Sequence, residues 1–310
     1  METNDAPLAP GLYLVATPIG NLGDITLRAL DVLRRAHRIA CEDTRQTQKL
    51  LNHYSITTPT VSCHQHNERV RATELIEEIK AGNAIAVVSD AGMPGISDPG
   101  AHLAAAAIAA GVAVIPIPGA NAALSALIAS GLPTSEFVFL GFLPEKAGAR
   151  RTRLESLAAE PHSSPRTLIF YEAPHRILDT LSDLESVFGP SLQAAVAREL
   201  TKLHEECLRG PVADIRRDLA ARDRIRGEFV LLIELGVPGH SSTNPGAPGL
   251  ASETGEGSPQ PRQSIATQVA RLQSESGIDE KEALKRIARS LGQSKSEVYR
   301  ELQRERAKRK

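Results

Sequence analysis

A chain of 310 residues exceeds one average domain and leaves room for two or three. Its 36 lysines and arginines nearly balance 37 aspartates and glutamates, so a net charge of −1 offers no global attraction for nucleic acid, and any such binding needs local patches. Trp is absent, and six Phe and four Tyr leave the core to aliphatic residues and argue against an array of aromatic base-stacking platforms.

In chain order, residues 12–16 form a short apolar run, the first predicted strand. It leads into Thr17-Pro18-Ile19-Gly20-Asn21-Leu22-Gly23-Asp24, and residues 25–36 then repeat apolar side chains at helical spacing, with Asp24 a candidate N-cap. A strand over 38–41, a polar helix over 44–54 and an amphipathic helix over 67–81 follow. The continuous apolar strand 84–88 ends in Asp90-Ala91-Gly92-Met93-Pro94-Gly95-Ile96-Ser97-Asp98-Pro99-Gly100. After a helix over 102–110 and a strand over 112–117, Pro118-Gly119-Ala120-Asn121 opens a helix over 122–130. Strands and helices alternating at this spacing predict an α/β fold with a mainly parallel sheet.

Past Gly131, strands are predicted over 137–142, 167–171, 193–197 and 228–235, with helices over 150–159, 176–188 and 212–221. This reads as a second α/β lobe with a mixed or antiparallel sheet. The predicted organisation is an N-terminal lobe 11–120, a C-terminal lobe 121–236, a Gly/Pro/Ser/Thr-rich flexible linker 237–262 and a helical module 263–310. In that module helices are predicted over 265–272, 280–291 and 296–303, with Ser294-Lys295-Ser296-Glu297 as a capping box and a helix-turn-helix outline.

Cys41, Cys63 and Cys207 are scattered and form no C-x-x-C, which suits a reducing compartment. The first residues lack the basic and apolar regions of a signal peptide, and 101–118 reads as an Ala-rich helix turning into a strand rather than a membrane span. A cytoplasmic protein is expected.

The two Gly- and Pro-rich turns carry the chemistry. They follow strands, where an open α/β sheet builds its ligand crevice, and the first also reads as a plain strand-to-helix turn. Neither G-x-G-x-x-G nor G-x-x-x-x-G-K-[ST] occurs. The second turn holds Asp90 and Asp98 and no lysine, so it suits a neutral or cationic ligand better than a polyphosphate. Cys63-His64-Gln65-His66 alternates across two faces of a strand and lacks a second ligand pair, so no metal is expected.

The first turn, Glu42-Asp43-Thr44-Arg45, His64-Gln65-His66-Asn67-Glu68, residues 89–100 and Pro118-Gly119-Ala120 match one group of proteins. Phe170-Tyr171-Glu172-Ala173-Pro174-His175-Arg176, Arg198-Glu199-Leu200-Thr201-Lys202, His204-Glu205-Glu206 and Gly227-Glu228-Phe229 match it too. Over residues 11–236 the chain resembles the small-subunit ribosomal RNA ribose methyltransferases of the tetrapyrrole-methylase-like superfamily, departing at Met93, where Thr is more usual.

The resemblance implies a two-lobed class III methyltransferase fold, a homodimer, S-adenosylmethionine as methyl donor, and no metal, DNA or membrane. The implied reaction is 2′-O-methylation of a decoding-centre cytidine in 16S ribosomal RNA of the small subunit. Donor contacts are implied at Pro18, Gly20, Asp90, Ala91, Gly92, Ile96, Ser97, Ala120, Asn121, Ala173 and Glu228. His64, Asn67, Glu68, Arg176, Arg198 and His204 are expected near the substrate.

A base or cation acting on the ribose hydroxyl is sought among Glu172, His175, Lys202 and Glu206, with His204 as a further candidate. Blander readings stand beside these: His175 as a helix cap, Glu205 and Glu206 as an exposed acidic edge, Lys202 as a phosphate contact. RNA attraction is assigned to Lys146, Arg150, Arg151 and Arg153 and to residues 294–310, where seven cations face three acids. Two other functions fit less well: a same-fold methylase of a tetrapyrrole or a modified histidine, and a ligand-sensing nucleic-acid-binding regulator.

Overall fold

The computed structural model describes residues 7–64, 67–236, 279–291 and 298–300, together with residues 269, 273 and 302. Two compact units divide between Ala247 and Pro248. The first unit holds two five-stranded sheets.

The first sheet contains β1 (Gly11–Val15), β2 (Arg38–Cys41), β3 (Thr60–Ser62), β4 (Ala84–Val88) and β5 (Val114–Ile117). All pairings are parallel, in the order β3-β2-β4-β1-β5. Alternation along β4 explains why both faces are covered. Ala84, Ala86 and Val88 pack with residues of α1 (Leu27–Arg35) and α2 (Thr44–His53). Ile85 and Val87 pack with residues of α3 (Glu68–Lys80) and α4 (Ala101–Ala109). Because β1 and β4 are neighbours, their two following turns emerge side by side at the carboxyl edge.

The helix α5 (Ala122–Ser130) links the sheets and packs Ala123, Ala126 and Leu127 on the second one, against Ile169, Ala195, Val230 and Leu232. That sheet contains β6 (Phe137–Phe142), β7 (Arg166–Glu172), β8 (Gln193–Arg198), β9 (Glu206–Pro211) and β10 (Phe229–Leu235), in the order β6-β7-β10-β8-β9. It is mixed: β6 runs parallel to β7 and the other pairs are antiparallel. Its opposite face carries α6 (Ala147–Ala159), α7 (Ile177–Phe188) and α8 (Val212–Ala220) around Leu168, Phe170, Leu231 and Ile233.

Two local expectations change and one holds. Thr26 caps α1 by accepting from the Ala29 amide at 3.0 Å, while Asp24 closes a short 3-10 turn capped by Asn21. The strands β3 and β9 carry no apolar run. The first has three half-buried residues, and the second is an edge strand containing Arg209, Gly210 and Pro211, a composition suited to an edge. The segment 101–118 forms α4 and β5, and no described helix is long and apolar enough to cross a membrane.

In the second unit α9 (Glu280–Leu291) matches its predicted range, and Ala283, Leu284, Ile287 and Ala288 cluster with Val269, Val298 and Leu302. The predicted linker 237–262 lies outside the described residues, as do all but residue 269 of the predicted helix 265–272 and half of 296–303.

Asp183 on α7 joins α6 through Arg150, whose Nε donates at 2.7 Å, and Arg151, whose Nε donates at 2.6 Å. Arg150 and Asp183 are both buried, so Arg150 is a packing element rather than a phosphate contact. Asp183→Ala strands a buried guanidinium and is expected to lower unfolding free energy by about 3–5 kcal/mol in urea denaturation.

Candidate active site

The turns after β1 and β4 are locked to each other by main-chain hydrogen bonds. The Thr17 amide donates to the Gly92 carbonyl at 2.9 Å, and the Gly92 amide donates to the Thr17 carbonyl at 3.1 Å. The Thr17 hydroxyl, itself buried, donates to the Ser89 carbonyl at 3.2 Å. Gly92 has φ +79°, a left-handed conformation that disfavours a side chain, so the reversal that makes this clasp calls for glycine there.

Beneath the clasp lies a cavity of about 310 Å³ between the two sheets. The first turn contributes Ile19, and the second contributes Ala91, Gly92, Met93, Ile96, Ser97 and Asp98. The α5 entry contributes Asn121, whose Oδ1 caps the helix by accepting from the Leu124 amide at 3.0 Å. From the second sheet come Phe142, Tyr171, Ala173, Leu200, Glu228 and Val230, among others. Among the described residues three carboxylates (Asp98, Glu172 and Glu228) and no Lys, Arg or His line it. A second cavity of about 290 Å³ is lined by Glu42, Glu68, Ser97, Asp98, Pro99, Ala101 and His102.

Charge is unevenly settled in this region. Burial pushes the Asp98 carboxyl up to about 6, and the nearby Glu42 and Asp90 carboxylates add to the rise. Glu42 is also raised, by burial first and then by Asp90. At the cavity rim the Lys202 Nζ donates to Glu199 at 2.9 Å and to Glu228 at 3.0 Å. The hydrogen bond from Lys202 holds Glu199 below the usual carboxylate range. The Lys202 stem lies where a Cβ on Gly20 would sit, 2.4 Å from its Cγ, so glycine in the first turn lets the second sheet's lysine close over it.

Of the positions expected at the donor, Ala91, Gly92, Ile96, Ser97, Asn121, Ala173 and Glu228 line the first cavity. Pro18, Gly20, Asp90 and Ala120 do not: Gly20 lies under Lys202, and the exposed Asp90 accepts from the Asp43 amide at 3.3 Å. The expected catalytic carboxylates are occupied. Glu172 is buried and accepts from the Ala173 amide at 2.9 Å and the Thr180 hydroxyl at 2.6 Å, with the Arg176 Nε 3.2 Å away. Glu206 is gripped by both terminal nitrogens of Arg222 at 2.7 and 2.8 Å, and these hydrogen bonds hold its carboxyl down as an anion. His175 and His204 are exposed, line neither cavity and cap no helix; α7 has no side-chain cap.

The expected substrate contacts are similarly committed. Glu68 is buried and accepts from the Gly100 and Leu103 amides, each at 3.0 Å, so it caps α4 and pins the end of the second turn. The Asn67 Oδ1 accepts from the His64 amide at 2.8 Å, closing the loop before α3. Arg176 donates to the Leu143 carbonyl at 2.7 Å, and Arg198 donates to the Arg226 carbonyl at 2.6 Å. His66 lies outside the described residues. Sequence reasoning weighed Asp98 only for its charge and Met93 only as a departure, did not place either at the donor, and did not single out Ile19, although all three line the cavity.

The profile of the tetrapyrrole (corrin/porphyrin) methylases matches residues 11–216. The ribosomal RNA small subunit methyltransferase I of Halalkalibacterium halodurans is 47% identical over 288 residues, covering 93% of each chain. The proteins of that name from Synechocystis and Pseudomonas aeruginosa are 52% and 49% identical, over 73% and 72% of this chain and 80% and 78% of theirs. Among solved structures, a diphthine synthase superposes with a TM-score of 0.53 at 15% identity, covering 72% of this chain and 88% of its own. The methyltransferase CobJ does so with 0.53 at 21%, covering 72% and 93%. These two establish similarity of fold.

Asp98 links the cavity to stability. Its carboxyl is raised from an ordinary value of 3.8, so the folded state holds the proton more tightly than the unfolded chain, and stability falls as pH rises from about 4 to about 6. Asp98→Asn removes that loss. Scanning calorimetry is expected to give a melting temperature about 2–4 °C above the parent at pH 8, with no gain below pH 4.

Proposed function

The chain belongs to the tetrapyrrole (corrin/porphyrin) methylase family and, within it, to the ribosomal RNA small subunit methyltransferase I group; on that footing we propose that it methylates the ribose 2′-oxygen of a decoding-centre cytidine in 16S ribosomal RNA. It is an S-adenosylmethionine-dependent methyltransferase, and the donor supplies a methyl group on a positively charged sulfur. The observation that carries the reading is the charge of the cavity: among the described residues three carboxylates and no cation line it, Glu172 and Glu228 paired with Arg176 and Lys202 behind the wall and Asp98 unpaired, which favours a sulfonium and disfavours a polyphosphate.

The remaining walls fit the rest of that molecule. Ile19, Met93, Ile96, Leu200 and Val230 offer an apolar slot for a flat ring, while the turn around Ala91 and Gly92 offers main-chain donors and acceptors. The clasp between Thr17 and Gly92 holds that turn before any ligand arrives, so little ordering is needed on binding. Met93 adds to the apolar wall.

The acceptor approaches from outside this acidic interior. Phosphate attraction in this reading falls to basic residues elsewhere, among them Lys146, Arg151, Arg153 and the cations of the module 263–310, joined by the linker 237–262 to lobes 11–120 and 121–236. The protein acts as a homodimer. The edge strand β6 exposes Phe137, Val138 and Phe142, and α5 exposes Leu124 and Ile128, a face suited to a second copy of this chain.

Incubation with methyl-labelled donor and small subunits lacking the modification is expected to place label in a cytidine 2′-O-methyl group. Label on a base, on a protein histidine or in a tetrapyrrole overturns the proposal. Light scattering is expected to return twice the chain mass, and Ile128→Asp to return a single chain; a monomeric parent overturns the homodimer.

A further inference from the structure

We propose that Asp98 is the general base of methyl transfer, accepting the proton of the acceptor hydroxyl at the junction of the two cavities. The inference rests on the methyltransferase reading above and adds the group that handles the proton. Transfer between two molecules requires two binding spaces that meet where the bond is made. The 310 Å³ cavity between the sheets and the 290 Å³ cavity beside it share two lining residues, Ser97 and Asp98. Ser97 adopts φ +63°, a left-handed conformation that non-glycine residues rarely hold and that functional sites retain. It turns the chain so that Asp98 borders both spaces.

The other carboxylates bordering these cavities are less suited. Glu172 is filled by the Ala173 amide, the Thr180 hydroxyl and Arg176; Glu228 holds Lys202; Glu68 caps α4. Glu42 borders only the second cavity. Among the described residues none donates a hydrogen bond to Asp98, so its oxygens are available to a hydroxyl. The charged and titratable groups around it are Glu42 at the end of β2, Asp90 after β4, Tyr171 on β7, and Glu68 and His102 across the second cavity. Its elevated proton affinity, about 6, brings a weak carboxylate base close to neutral working pH while leaving it largely ionised there.

The step balances without any further reactant. As the acceptor oxygen bonds to the methyl carbon, the bond from that carbon to sulfur breaks and its electron pair stays on sulfur. The cationic sulfonium leaves as a neutral thioether, the hydroxyl proton passes to the Asp98 carboxylate, and Asp98 then releases it to solvent.

The test compares the parent with Asp98→Asn and Asp98→Glu, using single-turnover methyl transfer to under-modified small subunits and calorimetry of donor binding. The parent rate is expected to rise about tenfold per pH unit below about pH 6 and level off above it. Asp98→Asn should lose about a hundredfold or more in rate and lose the rising limb. Its donor dissociation constant should rise by no more than about tenfold, the share of one carboxylate in the field that attracts the sulfonium, a change worth about 1.4 kcal/mol. Asp98→Glu, which keeps a carboxylate, should keep a rising limb and recover part of the rate.

Three outcomes overturn the assignment: an Asp98→Asn rate equal to the parent's, an unchanged limb in that variant, or loss of donor binding, which would make Asp98 a donor contact. If Asp98→Asn does not fold, a flat profile in Asp98→Glu overturns it as well. Absence of transfer by the parent to any RNA, with donor binding intact, defeats the RNA reading itself and is told apart from the other results by involving no variant.

Discussion

The clasp between Thr17 and Gly92 is the constraint on which the rest of the site depends. Parallel strands β1 and β4 end together, and without a cross-link their following turns would be free to splay at the sheet edge. Two main-chain hydrogen bonds turn that edge into a short antiparallel pair, and the buried Thr17 hydroxyl ties it to the end of β4. Glu68 secures the far end of the same turn through the Gly100 and Leu103 amides. Residues 93–99 are thus anchored at both ends, and the cavity is shaped by backbone before any side chain is considered. This explains why a turn so rich in Gly and Pro can hold a defined ligand surface.

Once the turn is fixed, charge does the sorting. Asp98 is brought close to Glu42 and Asp90 with no cation in the cavity wall. Lys202 is held at the rim by Glu199 and Glu228, and Arg176 is drawn to Glu172 and to main-chain carbonyls. The interior is left electronegative and its rim neutral. A cationic donor gains from that field, and the loss of its charge on transfer weakens the hold on the product.

Much of this was legible in the sequence, and the part that was not has a physical cause. The range of β4 is read directly from five consecutive apolar residues, and that of α5 from Asn121 at the cap and Gly131 at the exit. The two turns announce themselves by composition. The fates of single charged residues do not, because they depend on partners far away in the chain. Glu206 is neutralised by Arg222, and Glu68 caps a helix 35 residues on. Asp98 owes its character first to burial and then to Glu42, which arrives from the end of another strand. Motif membership marked Glu172, Glu206 and Glu68 as chemically important, but their hydrogen bonds make them supports for the site.

Backbone strain follows the same division. Of the four non-glycine residues with positive φ among those described, Ser97, Glu199 and Thr201 flank the cleft, and Ser55 stands apart after α2. Each such residue costs about 1–3 kcal/mol and persists only where its surroundings over-determine it. Ser97 is over-determined by the clasp and the α4 cap. Glu199 is held by Lys202 and by the Glu228 amide, and Thr201 by the Glu205 carboxylate, which accepts from its amide at 2.5 Å. Strain on the first-sheet side sets the group that borders both cavities, and strain on the second-sheet side sets the lysine that closes over Gly20. The two strained segments face each other across the cleft, so the fold concentrates its local cost where two reactants would have to meet.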